Sequence, residues 1–359
     1  MARNIVICCD GTSNNVIGHS TNILKLYRIL ERNPDQITYY APGIGSATDL
    51  RAKTIIGKWI ARRLDMGIGY GIGEAACEIY HFLSSNYQQG DRIFLFGFSR
   101  GAYTVRSVAG MVQFLGLLRR DQAHLTKHAW AIYANDDQSL STEERFGAGR
   151  RIAKIFSVRP KPKIHFLGAF DTVSSFGWLW NQRTLPHTAS NPSIRHIRHA
   201  VAIDERRAMF RQNLFRQNDA NESFEEYWFA GGHGDVGGGW PEVVSGLSRI
   251  TLDWMVRSSS AEGLRFDQRV LDRFIGAGQD ATPAQVAVND ALTGPWWLIE
   301  AMPRKLWNPT KSKMSWSLPH RGRLRVISKD AQIHPSVHKL MQIDKSYRPK
   351  NLIRSGLAD

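Results

Sequence analysis

The sequence predicts an α/β protein with a mostly parallel central sheet flanked by helices. Three observations carry that expectation. Short, near-continuous apolar runs alternate with segments of helical period, the pattern of strands covered on both faces. Several of these runs stop at a chemically capable residue followed by a turn, most legibly in IFLFGFSRGAY (93–103). Open parallel sheets present their sites at such carboxyl ends. The length of 359 residues suits one large α/β unit or two smaller ones. No run approaches the roughly 18 apolar residues of a membrane-spanning helix.

Taken in order, NIVICCD (4–10) reads as the first strand. A helix is expected over 21–33, with Ile23, Leu26, Tyr27 and Leu30 as its apolar stripe. ITYYAPGIGS is a short strand entering a glycine-rich loop, 52–64 has a basic helical pattern, and 66–87 reads as a longer helix ended by the turn at Gly90-Asp91. The run Gly71-x-Gly73-x-x-Ala76 fits only a relaxed dinucleotide fingerprint and has no strand before it, so close helix packing is the simpler account. RIFLFGF (92–98) is a central strand and 100–118 its helix; 121–135 and 142–156 are further helices. KIHFLGAFDTV (163–173) is a second buried strand, ending in an acid. Residues 174–194, rich in Trp, Asn, Pro and Ser, read as an irregular insertion able to cap a cleft. EEYWFAGGHGDVGGGW (225–240) is a third buried strand, running into a histidine, and 248–260 is a helix. Beyond 295 the Pro-, Trp- and Lys/Arg-rich chain shows no assignable period. The expected organisation is one domain over 1–359, its core about 1–120, 150–173 and 195–262, with 295–359 packing on it as an extension.

The formal net charge is +15, and it is uneven: 301–359 holds thirteen Lys/Arg against three Asp/Glu, and 195–216 adds six arginines. A basic face suits an anionic membrane surface, an acidic partner or simple solvation. No nucleic-acid-binding signature is present, so no nucleic acid is expected. The oligomeric state is not legible. Three cysteines (Cys8, Cys9, Cys77) give neither a disulfide framework nor metal-ligand spacing, and read as small buried residues in a chain made in a reducing compartment. MARNIVICCDGT is too short and polar for a secretory signal. A cytoplasmic site of synthesis is expected, with export by a signal-independent route left open.

Gly97-x-Ser99-x-Gly101 between a strand and a helix is the nucleophile-elbow spacing: small neighbours permit the tight turn that lifts the Ser99 hydroxyl above the sheet. Serine needs a base. The next acid to end a buried strand is Asp171, and the next histidine is His233, crowded by Gly231, Gly232 and Gly234. His233 would take the serine proton, and Asp171 would orient and stabilise the imidazole. His165 reads as a hydrogen-bonded core residue, while His196 and His199, in an arginine-rich segment, are weaker candidates for the base. For the oxyanion, the expected donors are the backbone N–H of Arg100 and that of Gly11 or Thr12. Asp10 and Asp235 are candidate supports for substrate or site; two carboxylates alone make no metal argument, and no metal or cofactor is expected.

CCDGTSNN (8–15), GDRIFLFGFSRGAYTVRSVAG (90–110), FLGAFDTVSSFG (166–177), HAVAIDERRAMF (199–210), WFAGGHGDVGGGW (228–240), IHPSVHKL and YRPKNL together resemble the uncharacterised α/β-hydrolase domain family that includes the first class of type VI secretion phospholipase effectors. The resemblance implies an α/β-hydrolase-like fold and a Ser-Asp-His triad falling on Ser99, Asp171 and His233. It also implies ester hydrolysis, with phospholipase A activity in the characterised effectors, which usually carry further segments for membrane attachment or delivery. Arg206 and Arg207 belong to a family mark, read as pairing with Asp204 or other acids or lining the cleft mouth. The expected function is therefore a serine carboxylic ester hydrolase acting on lipid or phospholipid esters. The alternatives are a small-ester esterase that never meets a membrane and a silent basic binding module. The tryptophan-rich stretch 294–307 is read as a cleft cover, a membrane-interface element or core.

Overall fold

A computed structural model describes residues 2–11, 19–43, 70–135, 139–173, 177–178, 181–182, 184–275, 287–294, 296–300, 304–308, 313–317 and 320–358. The expected helix 52–64 and Thr12 lie outside these residues.

Seven parallel strands form the central sheet: β1 (Asn4–Cys9), β2 (Gln36–Ala41), β3 (Arg92–Phe98), β4 (Ile164–Phe170), β5 (Ile194–Ala202), β6 (Ser223–Phe229) and β7 (Gln332–Ile333). Their order is β7-β6-β5-β4-β3-β1-β2, and every pairing is parallel. The strand order reverses at β1, so the switch point falls between β1 and β3, where open α/β sheets form their crevice.

Alternation sorts the side chains between two cores. Ile5, Ile7 and Cys9 of β1 face one side and Val6 and Cys8 the other. The first side packs on α2 (Tyr70–Asn86), α3 (Arg100–Leu115), α4 (Thr126–Ala134) and α5 (Thr142–Ile155). The second packs on α1 (Asn22–Ile29), α7 (Gly246–Ala261) and α8 (Gln268–Ile275). A third cluster joins β5 and β6 to α10 (Pro335–Ile343) and α11 (Lys350–Ser355) at the chain's end. Between these lie two short helices, α6 (His233–Gly237) and α9 (Trp296–Glu300).

Several boundaries differ from the sequence expectation, each for a local reason. The helix expected over 100–118 stops at Leu115, because Gly116 turns to φ 79°. The helix expected over 21–33 stops at Ile29, because Leu30 turns extended and bridges Phe266. The segment 121–135 divides into a 3₁₀ turn, Arg120–Leu125, and α4. Residues 194–202, read as the end of an insertion and an arginine-rich segment, are the central strand β5. The described part of 184–194 packs on helices: the Tyr103 hydroxyl accepts from Leu185 N–H at 3.1 Å, and Arg106 Nε donates to Thr188 O at 2.8 Å.

Candidate active site

The site is built at the carboxyl ends of β3, β4 and β6. β3 runs straight into α3 through Ser99, whose backbone takes φ 58° and ψ −122°. A non-glycine residue holds such angles only when its surroundings force them. The two flanking glycines supply the room. A Cβ on Gly97 would stand 2.5 Å from Ala102 Cα, and one on Gly101 would collide with the Cys9 and Asp10 carbonyls at the end of β1. The second collision is with the neighbouring strand β1, so Gly101 is what lets α3 start against the end of that strand. Ser99 N–H donates to Phe170 O across to β4 at 3.0 Å. Ser99 is buried, only 6% exposed.

Asp171 follows β4 directly and also has positive φ, 37°. It is fully buried. Its Oδ1 accepts from Ala202 N–H at 2.9 Å, and its Oδ2 lies 2.5 Å from His233 Nδ1. The remaining contacts come from a residue that the sequence reading passed over. Arg325 grips both carboxylate oxygens, Nη1 to Oδ1 at 2.5 Å and Nη2 to Oδ2 at 2.9 Å. Burial alone would raise the Asp171 carboxyl, but the Arg325 guanidinium and the bond from His233 hold it well below the usual carboxylate range.

His233 opens α6 four residues beyond β6. Gly237, on the same short helix, lets α6 lie directly on Phe98, since a Cβ there would run into the ring. The imidazole sits between Phe98 and Phe210, at centroid distances of 4.5 and 4.7 Å. Its Nδ1 faces Asp171, so Nε2 is the nitrogen left for chemistry. Burial pulls the ring below the ordinary imidazole value, more than Asp171 and Glu205 restore. No hydrogen bond joins Ser99 Oγ to His233 among the described contacts.

The turn carrying His233 is braced by acids. Glu205 Oε2 accepts from His233 N–H at 3.1 Å and is paired with Arg207 at 2.8 Å. Arg207 lies over Phe210 at 3.8 Å and Trp296 at 5.0 Å. Thus the stretch 294–307 reaches the site through Trp296, while Trp297 is half exposed. Arg206 pairs with Asp290 at 2.5 Å. Asp204 instead holds Gly231 N–H and the Tyr347 hydroxyl, each at 2.7 Å. Tyr347, of the YRPKNL mark, therefore steadies the histidine loop.

The remaining candidates separate. Asp10 is buried and accepts from Gly11 N–H at 2.6 Å, Thr21 Oγ at 2.7 Å and the Tyr40 hydroxyl at 2.9 Å. It braces the loop after β1, and the Gly11 N–H expected to face an oxyanion is committed to it. Thr12 lies outside the described residues. Arg100 is the first residue of α3. Asp235 accepts from Gly232 N–H at 2.9 Å and Asn289 Nδ2 at 2.6 Å, and burial lifts its carboxyl to about 6. Asp10 and Asp235 thus have separate partners. His199 is fully buried, with Nδ1 on Glu226 at 2.8 Å and Nε2 accepting from Thr172 N–H at 3.2 Å, so neither nitrogen is open to act as a base. His196 lies toward the amino-terminal end of β5, facing Glu262 at 3.1 Å. His165 Nε2 meets the Glu262 carbonyl at 3.0 Å.

A seven-stranded parallel sheet flanked by helices, with a strained serine turn at its switch point and a buried carboxylate–imidazole pair at its carboxyl edge, defines an α/β-hydrolase-like protein. The chain belongs to the family of Tle1-like phospholipase effectors of the type VI secretion system, whose catalytic-domain model matches residues 3–258. The uncharacterized protein YEL023C of Saccharomyces cerevisiae is 39% identical over 224 residues, which is 59% of this chain and 33% of that protein. A crystal structure of an uncharacterized protein from Pseudomonas aeruginosa is 18% identical, with a TM-score of 0.45, covering 79% of this chain and 50% of that one. The chain therefore spans a third of the curated relative and half of the solved chain.

Proposed function

We propose that the chain is a serine-dependent carboxylic ester hydrolase acting on lipid or phospholipid acyl esters. The observation that carries the reading is the buried His233–Asp171 pair beside the strained serine turn. In the proposed cycle, Ser99 Oγ bonds to the acyl carbon as its proton passes to His233 Nε2, and the carbonyl electron pair moves onto oxygen. The oxyanion collapses, the alkoxide leaves with the proton from Nε2, and an acyl-enzyme remains. Water then loses a proton to Nε2 and attacks the acyl carbon; the bond to Ser99 Oγ breaks, the Nε2 proton returns to Oγ, and the acid leaves. The Arg100 N–H, at the start of α3, is the proposed oxyanion donor; such a donor is worth about 3 kcal/mol in the transition state. The Ser99–His233 bond is expected to close with substrate in place, since these bonds are often long in unliganded enzymes.

The family supports a phospholipid substrate. The net charge of +15 and the exposed Trp297 support meeting an anionic lipid surface. The test compares wild type and Ser99→Ala on mixed phosphatidylcholine–phosphatidylglycerol vesicles and on short-chain esters. Fatty-acid release by wild type, reduced at least about a thousandfold in Ser99→Ala, is expected. Equal rates in the two proteins would remove the proposal. Activity confined to short esters would make the chain a small-ester esterase, and no activity on either would favour a silent binding module.

A further inference from the structure

The family description ends at residue 258, yet a residue far beyond it enters the site. Arg325 is 6% exposed and approaches Asp171 with both terminal nitrogens. The same nitrogens donate to Ala202 O at 3.0 Å and Phe210 O at 2.5 Å. The grip is itself held in place: Asn351 Nδ2, on α11, donates to Arg325 O at 3.2 Å and to Ile203 O at 2.9 Å. Two residues on, Ile327 is buried among Val201, Trp228 and Leu340. We propose that Arg325 is a positioning residue for hydrolysis: it locks the Asp171 carboxylate in register with His233 and keeps the dyad electrically balanced.

This proposal rests on Asp171 and His233 being the acid–base pair. The planar fork of a guanidinium matches a carboxylate at two points, which fixes both the carboxylate's rotation and its distance. Asp171 Oδ2 then has one direction left for His233 Nδ1. The charged groups on the elements around the imidazole are each partnered. Asp171, after β4, is offset by Arg325. Glu205, after β5, is offset by Arg207 from the same turn. Asp204, one residue before Glu205 in the same turn, is held by Tyr347, and Asp235 of α6 by Asn289. Removing the Arg325 charge leaves Asp171 uncompensated, and the dyad holds its proton more firmly. The deprotonated, working form of His233 then appears at higher pH.

The experiment measures kcat and KM against pH on a short-chain ester for full-length wild type, Arg325→Gln and Arg325→Lys, each checked for folding by circular dichroism. In Arg325→Gln the acid limb of kcat/KM is expected to move up by about one pH unit, with a lower plateau. In Arg325→Lys, which keeps the charge and loses the fork, the limb is expected within about half a unit of wild type, kcat about tenfold lower and KM unchanged. A merely structural role would shrink both profiles without moving the limb, so an unmoved limb in folded Arg325→Gln overturns the proposal. Should Arg325→Gln fail to fold, Arg325→Lys decides alone, and wild-type kcat there overturns it. Ser99→Ala run alongside separates the two failures. If it keeps turnover, the hydrolase reading falls; if it is dead and the limb stays put, only the role of Arg325 falls.

Discussion

His233 works, in the proposed cycle, only when neutral, and its surroundings favour that form. Two aromatic rings close on it, and burial opposes a proton more strongly than Asp171 and Glu205 attract one. The wild-type kcat/KM is therefore expected to rise with pH through a midpoint below the ordinary imidazole value and to be flat by neutral pH; a midpoint above about 7 contradicts the buried neutral ring. The linked stability has a definite sign. The folded-state value of Asp171 is depressed, so its contribution is complete above the ordinary aspartate range and is lost as pH falls toward the folded value. The candidates Ser99, Asp171 and His233 could be singled out from sequence because each stands at or just beyond the end of an apolar run. Arg325 could not, because it lies in a stretch without period and meets its partner 154 residues away. Glu205 was hidden differently: it stands beside two arginines, and only the fold decides that Arg207 takes both its oxygens while Oε2 also accepts from His233 N–H.

At the scale of elements, α1 is tied to the site by its first turn. Thr21 Oγ accepts from Leu24 N–H at 3.1 Å as the N-cap and donates to Asp10 Oδ2 at 2.7 Å. One hydroxyl thus caps a helix and steadies the loop next to the elbow. Thr21→Ala is expected to cost about 1–2 kcal/mol, and Thr21→Ser much less. Urea unfolding midpoints check this, and equal losses in both variants would remove the hydroxyl from the account. The elements legible in sequence were those with clean periods, such as β1, β3 and β4. β5 was not, because Arg195, His196, Arg198 and His199 interrupt its apolar run. These polar groups are tolerated in a central strand because they have partners close by. Arg198 pairs with Glu225 at 3.2 Å, and His199 with Glu226 at 2.8 Å, both one strand over on β6. Apolar patterning cannot reveal a strand whose polar side chains are neutralised by its neighbour.

Across the whole molecule, the last forty residues do more than extend the fold. β7 pairs with β6 and forms the sheet's edge, and Ile327, Val337, Leu340, Met341 and Leu352 cover Val201, Ile203 and Trp228. Burying an aliphatic or methionine side chain of this size contributes about 1.5–3 kcal/mol. Five such residues are then worth roughly 8–15 kcal/mol, an upper estimate but as large as the net stability of an ordinary domain. The same segment brings Arg325 to a fully buried Asp171, whose charge would otherwise be uncompensated. Asn351 and Tyr347 pin the chain beyond β5 and the histidine loop as well. A chain ending at residue 262, which keeps everything the family description covers, is therefore expected not to fold on its own. It should lack a cooperative urea transition by circular dichroism, precipitate at concentrations where the full chain stays in solution, and show no ester hydrolysis. A single transition at the full-length midpoint would mean that the C-terminal cluster rests on an already stable core, and that the energy assigned to its five side chains is cancelled by the entropy of ordering the segment.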